Sequence, residues 1–330
     1  MFRLSQLACS GVLRLESESI TRLYLLLLSF IKYSTSRDGF VDSRLRVLRV
    51  IASLVPLVSD CSVGIPTLCA LLAPGKTCVS DIVVRKEVLA VLDAMKQRIP
   101  SMSQVVFLSN AHDCKVTAVL FDLHATSSSS IGAYNFAKRG DAYELLIRQR
   151  LASFGPKESS FQPLLASVLH DLCDSDMMIR TSSLRALTDF VQDAHAMIRN
   201  GDEAMERVLS EGMIPSIRFV FQSNFGETTR RSAMQLFRQI LLASKDFRSS
   251  VFGSDLLALV NASDEDADVL LGLLHLQTRR KVKSMRSICQ LAQRIREGKS
   301  PRLAAVSIRT VLLPLLFACI RENPKNAGAC

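Results

Sequence analysis

The segment Phe161-Gln-Pro163-Leu-Leu-Ala-Ser-Val-Leu-His-Asp171 is followed by a short Asp-Ser turn and then by Asp176-Met-Met-Ile179-Arg180, and its reading decides the fold. The first half has the period of an amphipathic helix, with Pro163 in the opening turn, where a missing N–H removes no helical hydrogen bond. In the second half Ile179, Ser183, Ala186, Leu187 and Phe190 share one helical face, behind an Asp suited to capping. A helix pair of this size cannot bury its apolar stripe alone and needs a neighbour to stack on.

The unit recurs. From Ile214-Pro215 the pattern runs through Thr229-Arg230 to Ala233, Leu236, Phe237 and Ile240, placing Arg230 50 residues after Arg180. An earlier copy runs from Ile65-Pro66 to Asp81-Ile-Val-Val84-Arg85 and on to Val91 and Leu92. A fourth starts at Leu313-Pro314-Leu315-Leu316 and has no second helix before Cys330. The spacing and the Asp-x-x-(Val/Ile)-Arg signature resemble HEAT repeats, which implies an all-α, HEAT/armadillo-like solenoid of about five to seven stacked antiparallel helix pairs. In such an array the Asp caps the second helix and the Arg reaches the neighbouring repeat's turn.

The rest of the chain agrees with helix. Of its 330 residues 48% are hydrophobic and 22% charged, which excludes general disorder. Aromatic residues make up 6%, with no Trp and 14 Gly, a poor supply for sandwiches or barrels. Helical faces are predicted at 17–33, 43–55, 65–73, 81–98, 141–154, 161–173, 177–193, 203–222, 228–243, 267–296 and 303–321. Breaks carry Gly39, Pro74-Gly75, Pro100, Gly155-Pro156 and Asn200-Gly201-Asp202. Cys114 to His124 reads as strand or helix, and residues 125–132 as a Ser-rich, disordered loop. We expect one continuous solenoid, with a repeat array over 1–262 and an acidic turn, a basic helix and a further repeat start over 263–330.

Nine cysteines without a CxxC pair read as reduced, mostly buried thiols of an intracellular protein. The apolar runs Leu23 to Ile31 and Val311 to Ile320 are far below the ~20 residues of a membrane span. The opening, with Arg3 and Arg14 and no acid before Glu16, fits either a mitochondrial presequence or the first helix of the array.

No motif for catalysis or metal binding survives inspection. Gly75-Lys76-Thr77 lacks the first Gly of a phosphate loop, since Ala70 stands there, and helix is expected before it where that loop needs a strand. Asp264-Glu-Asp266-Ala-Asp268 opens like a calcium loop but puts Val269 and His275 where Gly and Glu are required. It reads better as helix N-terminal chemistry with Ser263 as cap. The five histidines are scattered, and His112-Asp113-Cys114 is too compact in sequence to orient as a nucleophile and its base. No enzyme activity, cofactor, metal or small-molecule substrate is expected.

Charge is the informative feature. The formal net charge is +10, yet residues 275–302 alone hold nine Lys/Arg against Glu297. Local basicity argues for one anionic contact surface. Val282, Met285, Cys289, Ala292 and Ile295 step by three or four as a core stripe, Arg279, Lys283 and Arg286 follow on another face, and Arg280, Lys281, Arg294 and Arg296 flank them. Like charges at this spacing repel by a few tenths of a kcal/mol per pair, which favours a nucleic-acid or acidic partner over a merely solvated face.

Asp268-Val-Leu-Leu-Gly-Leu-Leu-His275-Leu276-Gln277-Thr278-Arg279-Arg280-Lys281-Val282-Lys283-Ser284-Met285-Arg286 resembles the motif D-F-F-x-N-(I/M)-x-H-(I/V)-Q-x-H-R-R-x-R-A-(L/M)-R of the down-regulated-in-metastasis family, also called the U-three small nucleolar RNA-associated protein twenty family. Asp268, His275, Gln277, Arg280, Met285 and Arg286 coincide, and Lys281 and Lys283 keep the charge. Val269-Leu270 replaces the Phe pair, Gly272 the Asn, and Arg279 the second His. The family consists of very large HEAT-repeat proteins, so the resemblance implies a fragment or a short version of one. It further implies a non-enzymatic nucleolar scaffold of the small-subunit processome, contacting pre-ribosomal RNA or U-three small nucleolar RNA and processome proteins, with no membrane. The contrasting expectation is a HEAT adaptor of transport-receptor or phosphatase-scaffold type, binding acidic or helical peptides in the cytoplasm. A mitochondrial helical-repeat RNA protein is the third.

Overall fold

The computed structural model describes residues 17–33, 41–99, 119–127, 133–154, 161–243 and 254–322. The chain falls into two compact units, Met1–Asp171 and Leu172–Cys330. Among the described residues all regular structure is helical, and an isolated bridge between Thr126 and Tyr134 is the sole β feature. The fold is the all-α helical repeat that the period predicts.

The first unit contains α1 (Ser17–Tyr33), α2 (Val41–Leu54), α3 (Ile65–Leu72), α4 (Ile82–Lys96), α5 (Val119–Leu123), α6 (Phe136–Gln149) and α7 (Gln162–Asp171). Helices α1 and α2 pair, as do α3 and α4, while α2 packs on α4 and α3 on α7. First helices therefore stack on first helices and second on second, which joins the separate stripes into one core. Leu68, Leu72, Val88, Leu92 and Leu164 are fully buried in it; burying each such side chain contributes roughly 1.5–3 kcal/mol. Because α3 meets α7 directly, α5 and α6 lie beside the stack as an insertion. The ambiguous stretch thus resolves as helix over Val119–Leu123, while His112, Cys114 and residues 128–132 of the expected loop lie outside the described residues.

The second unit contains α8 (Met177–Arg199), α9 (Glu203–Arg207), α10 (Ile214–Gln222), α11 (Glu227–Ala243), α12 (Val269–Leu273), α13 (Thr278–Arg296) and α14 (Leu313–Glu322). Here α8 packs on α11, α10 on both α11 and α14, and α12 on α13. Phe221 of α10 meets Phe237 of α11 edge to face at 5.7 Å.

The signature residues act locally. Asp81 accepts hydrogen bonds from the Val83 and Val84 amides at 2.8 and 3.1 Å, and Asp176 from Met178 and Ile179 at 2.8 and 3.0 Å. These are the expected caps. The arginines differ from expectation. Arg85 donates to the Leu72 and Val79 carbonyls at 3.2 and 3.0 Å, and Arg180 to those of Asp174 and Ser175 at 2.7 and 3.3 Å. Each locks the turn of its own helix pair, because carbonyls left over around the end of the first helix are the nearest acceptors.

Pro215 stands in the first turn of α10, as expected, and Pro314 is the second residue of α14; both helices are entered through wide π turns, Val208–Met213 and Ile308–Leu312. A proline ring clashes with the carbonyl four residues back, and the wider turn relieves it. Of the described cysteines, Cys61, Cys69 and Cys319 are buried, but Cys289 is exposed.

Candidate nucleic-acid interface

The basic segment is two helices rather than the single run predicted over 267–296. Asp268 caps α12 by accepting from the Leu271 amide at 3.0 Å; Ser263, the expected cap, instead gives its amide to Asn261. After Leu273 the chain turns, and His275 Nδ1 accepts the Gln277 amide at 3.0 Å. Nothing between 273 and 278 is Gly or Pro, so periodicity runs through a break that a side-chain acceptor creates. The His275 imidazole is held below its ordinary pKa by burial first, then by Arg280 and Arg231, with Asp266 and Glu227 opposing.

The three family-motif residues are structural in this geometry. Asp268 is buried, forms a 2.9 Å ion pair with Arg238 of α11, and accepts the Asn261 amide at 3.2 Å. Arg238 also donates to the Asn261 carbonyl at 2.6 Å. His275 and Gln277 make the turn just described. Gly272 completes the joint: a Cβ there would lie 3.3 Å from Ser284 Cβ and closer still to its hydroxyl, so α12 approaches α13 as only a residue without a side chain allows.

The structure sorts the seven cations named from the sequence. Lys281 is buried and pairs with Glu227 at 2.9 Å, and Arg280 pairs with Asp266. Both are spent within the molecule. Arg279, Lys283 and Arg286 are exposed on successive turns of α13, and Arg294 and Arg296 are exposed near its end. No acid pairs with these five among the described residues. The expected core stripe is rotated. Met285 is buried and Ile288, Leu291 and Ile295 are half-buried, while Cys289 and Ala292 face solvent. The larger aliphatic side chains take the inner face because they remove more apolar area from water.

No group of three or more His, Cys, Asp or Glu is arranged to hold a metal among the described residues, and no described helix is long and apolar enough to cross a membrane. The family model described as "U3 small nucleolar RNA-associated protein 20, N-terminal" matches residues 4–224. The chain belongs to that family. The U3 small nucleolar RNA-associated protein 20 of Saccharomyces cerevisiae is 22% identical over 204 residues, covering 61% of this chain and 8% of the yeast protein. The matched stretch therefore spans less than a tenth of that relative's length. The matched residues 4–224 end before Asp268, so membership in the U3 small nucleolar RNA-associated protein 20 family rests on the repeat array, and the motif at 268–286 is a separate line of resemblance.

Proposed function

We propose that the chain is a non-enzymatic HEAT-type scaffold in small-subunit ribosome biogenesis, in the nucleolus, that holds pre-ribosomal RNA or U-three small nucleolar RNA on the outer face of α13 and contacts processome proteins elsewhere. One observation carries the RNA reading: Arg279, Lys283 and Arg286 stand on consecutive turns, exposed, with no acid paired to them among the described residues. A solvated helix face interleaves acids with bases; an unbroken cationic row matches a phosphate backbone instead. Membership in a family named for association with a small nucleolar RNA supports the same reading.

Arg280 and Lys281 are left out of this interface, since Asp266 and Glu227 already neutralise them. The test follows from counterion release. Binding of a structured pre-ribosomal RNA segment by the whole chain is measured against salt, for the parent and for R279E/K283E/R286E. The slope of log affinity against log salt should flatten by roughly two to three units. Equal slopes for both proteins would remove α13 from the RNA interface and give the lead to a protein adaptor.

A further inference from the structure

A second basic feature of the Leu172–Cys330 unit has different chemistry. The end of α10 and the outer side of the last helix enclose a cleft of about 470 Å³, lined by Phe221, Arg230, Arg309, Leu313, Phe317 and Arg321 together with Pro314, Ala318 and the polar Gln222, Ser223 and Asn224. No acid lines it. Glu227, the acid closest in sequence to Arg230, pairs with Lys281 at 2.9 Å.

Its three guanidiniums sit at different depths. Arg230 is buried, and its pKa is lowered by burial first and then by repulsion from Arg321, against the pull of Glu227. Arg321 is fixed at the rim by a 2.6 Å hydrogen bond to Asn224. Arg309 is exposed and has no ion pair among the described residues. Between them lies apolar surface: Phe317 is 67% exposed and Leu313 41%. An apolar strip of this kind normally marks a contact site when it is contiguous and rimmed by polar groups.

We infer that this cleft is a docking site for an acidic amphipathic peptide segment of a protein partner, whose apolar side chains lie on Leu313 and Phe317 while its carboxylates reach Arg309 and Arg321. Charge complementarity selects the occupant. Aliphatic and aromatic walls between arginines fit a helix with Leu or Phe three to four residues apart on one face and Glu flanking them, the helix-in-groove mode of recognition. A nucleic acid would use the arginines but would have to desolvate sugar and phosphate against the exposed Leu313 and Phe317 side chains, which offer them no hydrogen bond. The inference is independent of the α13 interface, because the two share no residue.

The test uses the full chain and a fluorescein-labelled peptide of ~12 residues, with Leu and Phe four apart and Glu at the flanking positions. A second peptide replaces every Glu by Gln, and a labelled oligouridine serves as the nucleic-acid probe. By fluorescence anisotropy the Glu peptide should bind, R309E should weaken it about tenfold, and F317S should weaken it by a similar factor. The Gln peptide should bind the parent no better than the Glu peptide binds R309E. Arg309 and Phe317 are exposed, so both variants should keep the parent's helix content and melting temperature. The idea fails if the parent does not bind the Glu peptide, or if R309E and F317S bind it as tightly as the parent does. It also fails if those variants lose oligouridine and not the peptide, since the cleft then belongs to nucleic acid. Loss of oligouridine binding only on R279E/K283E/R286E leaves the cleft assignment intact and tests α13 separately.

Discussion

In the turn between α3 and α4, and on the outer face of α13, the same side-chain chemistry has opposite uses. Arg85 is buried and gives its protons to two backbone carbonyls, whereas Arg279 and Arg286 face outward without an acid paired to them among the described residues. The difference teaches that a cation's role here depends on whether an acceptor precedes it within reach. Inside the helix pairs the carbonyls around the end of the first helix are fixed, and a guanidinium four residues past the cap meets them. Against the inner face of α13, Glu227 of α11 meets Lys281, while no acid pairs with Arg279, Lys283 or Arg286 of its outer face among the described residues.

The sharpest way to break this comparison is to strip the partner from a buried cation. Arg139 and Asp171 form a 2.9 Å ion pair with side chains 1% and 2% exposed. Tyr143 donates to the same carboxylate at 2.9 Å, His170 lies at 3.4 Å, and the guanidinium rests over the Tyr134 ring at 4.3 Å. Asp171→Ala leaves a charge buried without its carboxylate and should cost about 3–5 kcal/mol in urea unfolding.

Acid should reach the same cluster by titration. Burial would raise the Asp171 pKa, but His170, Arg139 and His124 together hold it well below the ordinary range. A depressed carboxyl stabilises the fold above its unfolded value, so this contribution is complete above about pH 4 and fades as pH falls below it. The neighbouring His124, within 2.9 Å of the Ser167 hydroxyl, is held well below its usual value by burial first and then by Arg85. The unfolded chain binds that proton and the folded one does not, so stability should also decline as pH drops through about 6.5. Unfolding midpoints measured from pH 8 to pH 5 should fall for the parent and fall less for His124→Gln.

A smaller effect separates cap from clamp. Asp176→Ala removes the carboxylate oxygen that accepts from two backbone amides at the start of α8 and should cost about 1 kcal/mol. Asp81→Ala should do the same for α4. Were Arg180 the main support of its turn, the Asp176 change would pass unnoticed in thermal melts.

Much of this was legible in advance, for reasons that can be stated. Helix pairs are encoded by period, and the Asp caps by chemistry that needs only the next three amides. The reach of Arg85 was not legible, because its own turn and a neighbouring turn are both within the length of an arginine, and only packing chooses. On α13 the sequence carries two overlapping apolar stripes, one through Cys289 and Ala292 and one through Ile288 and Leu291. Bulk decides between them, and the charge pattern turns with that choice. The loss of Arg280 and Lys281 from the candidate interface follows from acids at Asp266 and Glu227, of which the second lies on a different helix and is invisible to spacing.

The smallest expected effect is on the outer face itself. R279E/K283E/R286E exchanges one row of like charges for another along α13, so repulsion within the row is kept, and the new acid at position 283 stands one turn from Arg280. An opposite-charge neighbour at that spacing is worth a few tenths of a kcal/mol, and exposed substitutions away from packed features stay within about 0.5 kcal/mol. The unfolding free energy should therefore be unchanged within that margin or rise slightly. Lys281→Glu is the matched control, one helical position from the altered face but buried against Glu227 at 2.9 Å. It sets two carboxylates against each other in the interior and should destabilise the fold clearly. Urea titrations that find the triple variant as unstable as Lys281→Glu would mean that the outer cations hold the fold together, and the contrast between the two regions would disappear.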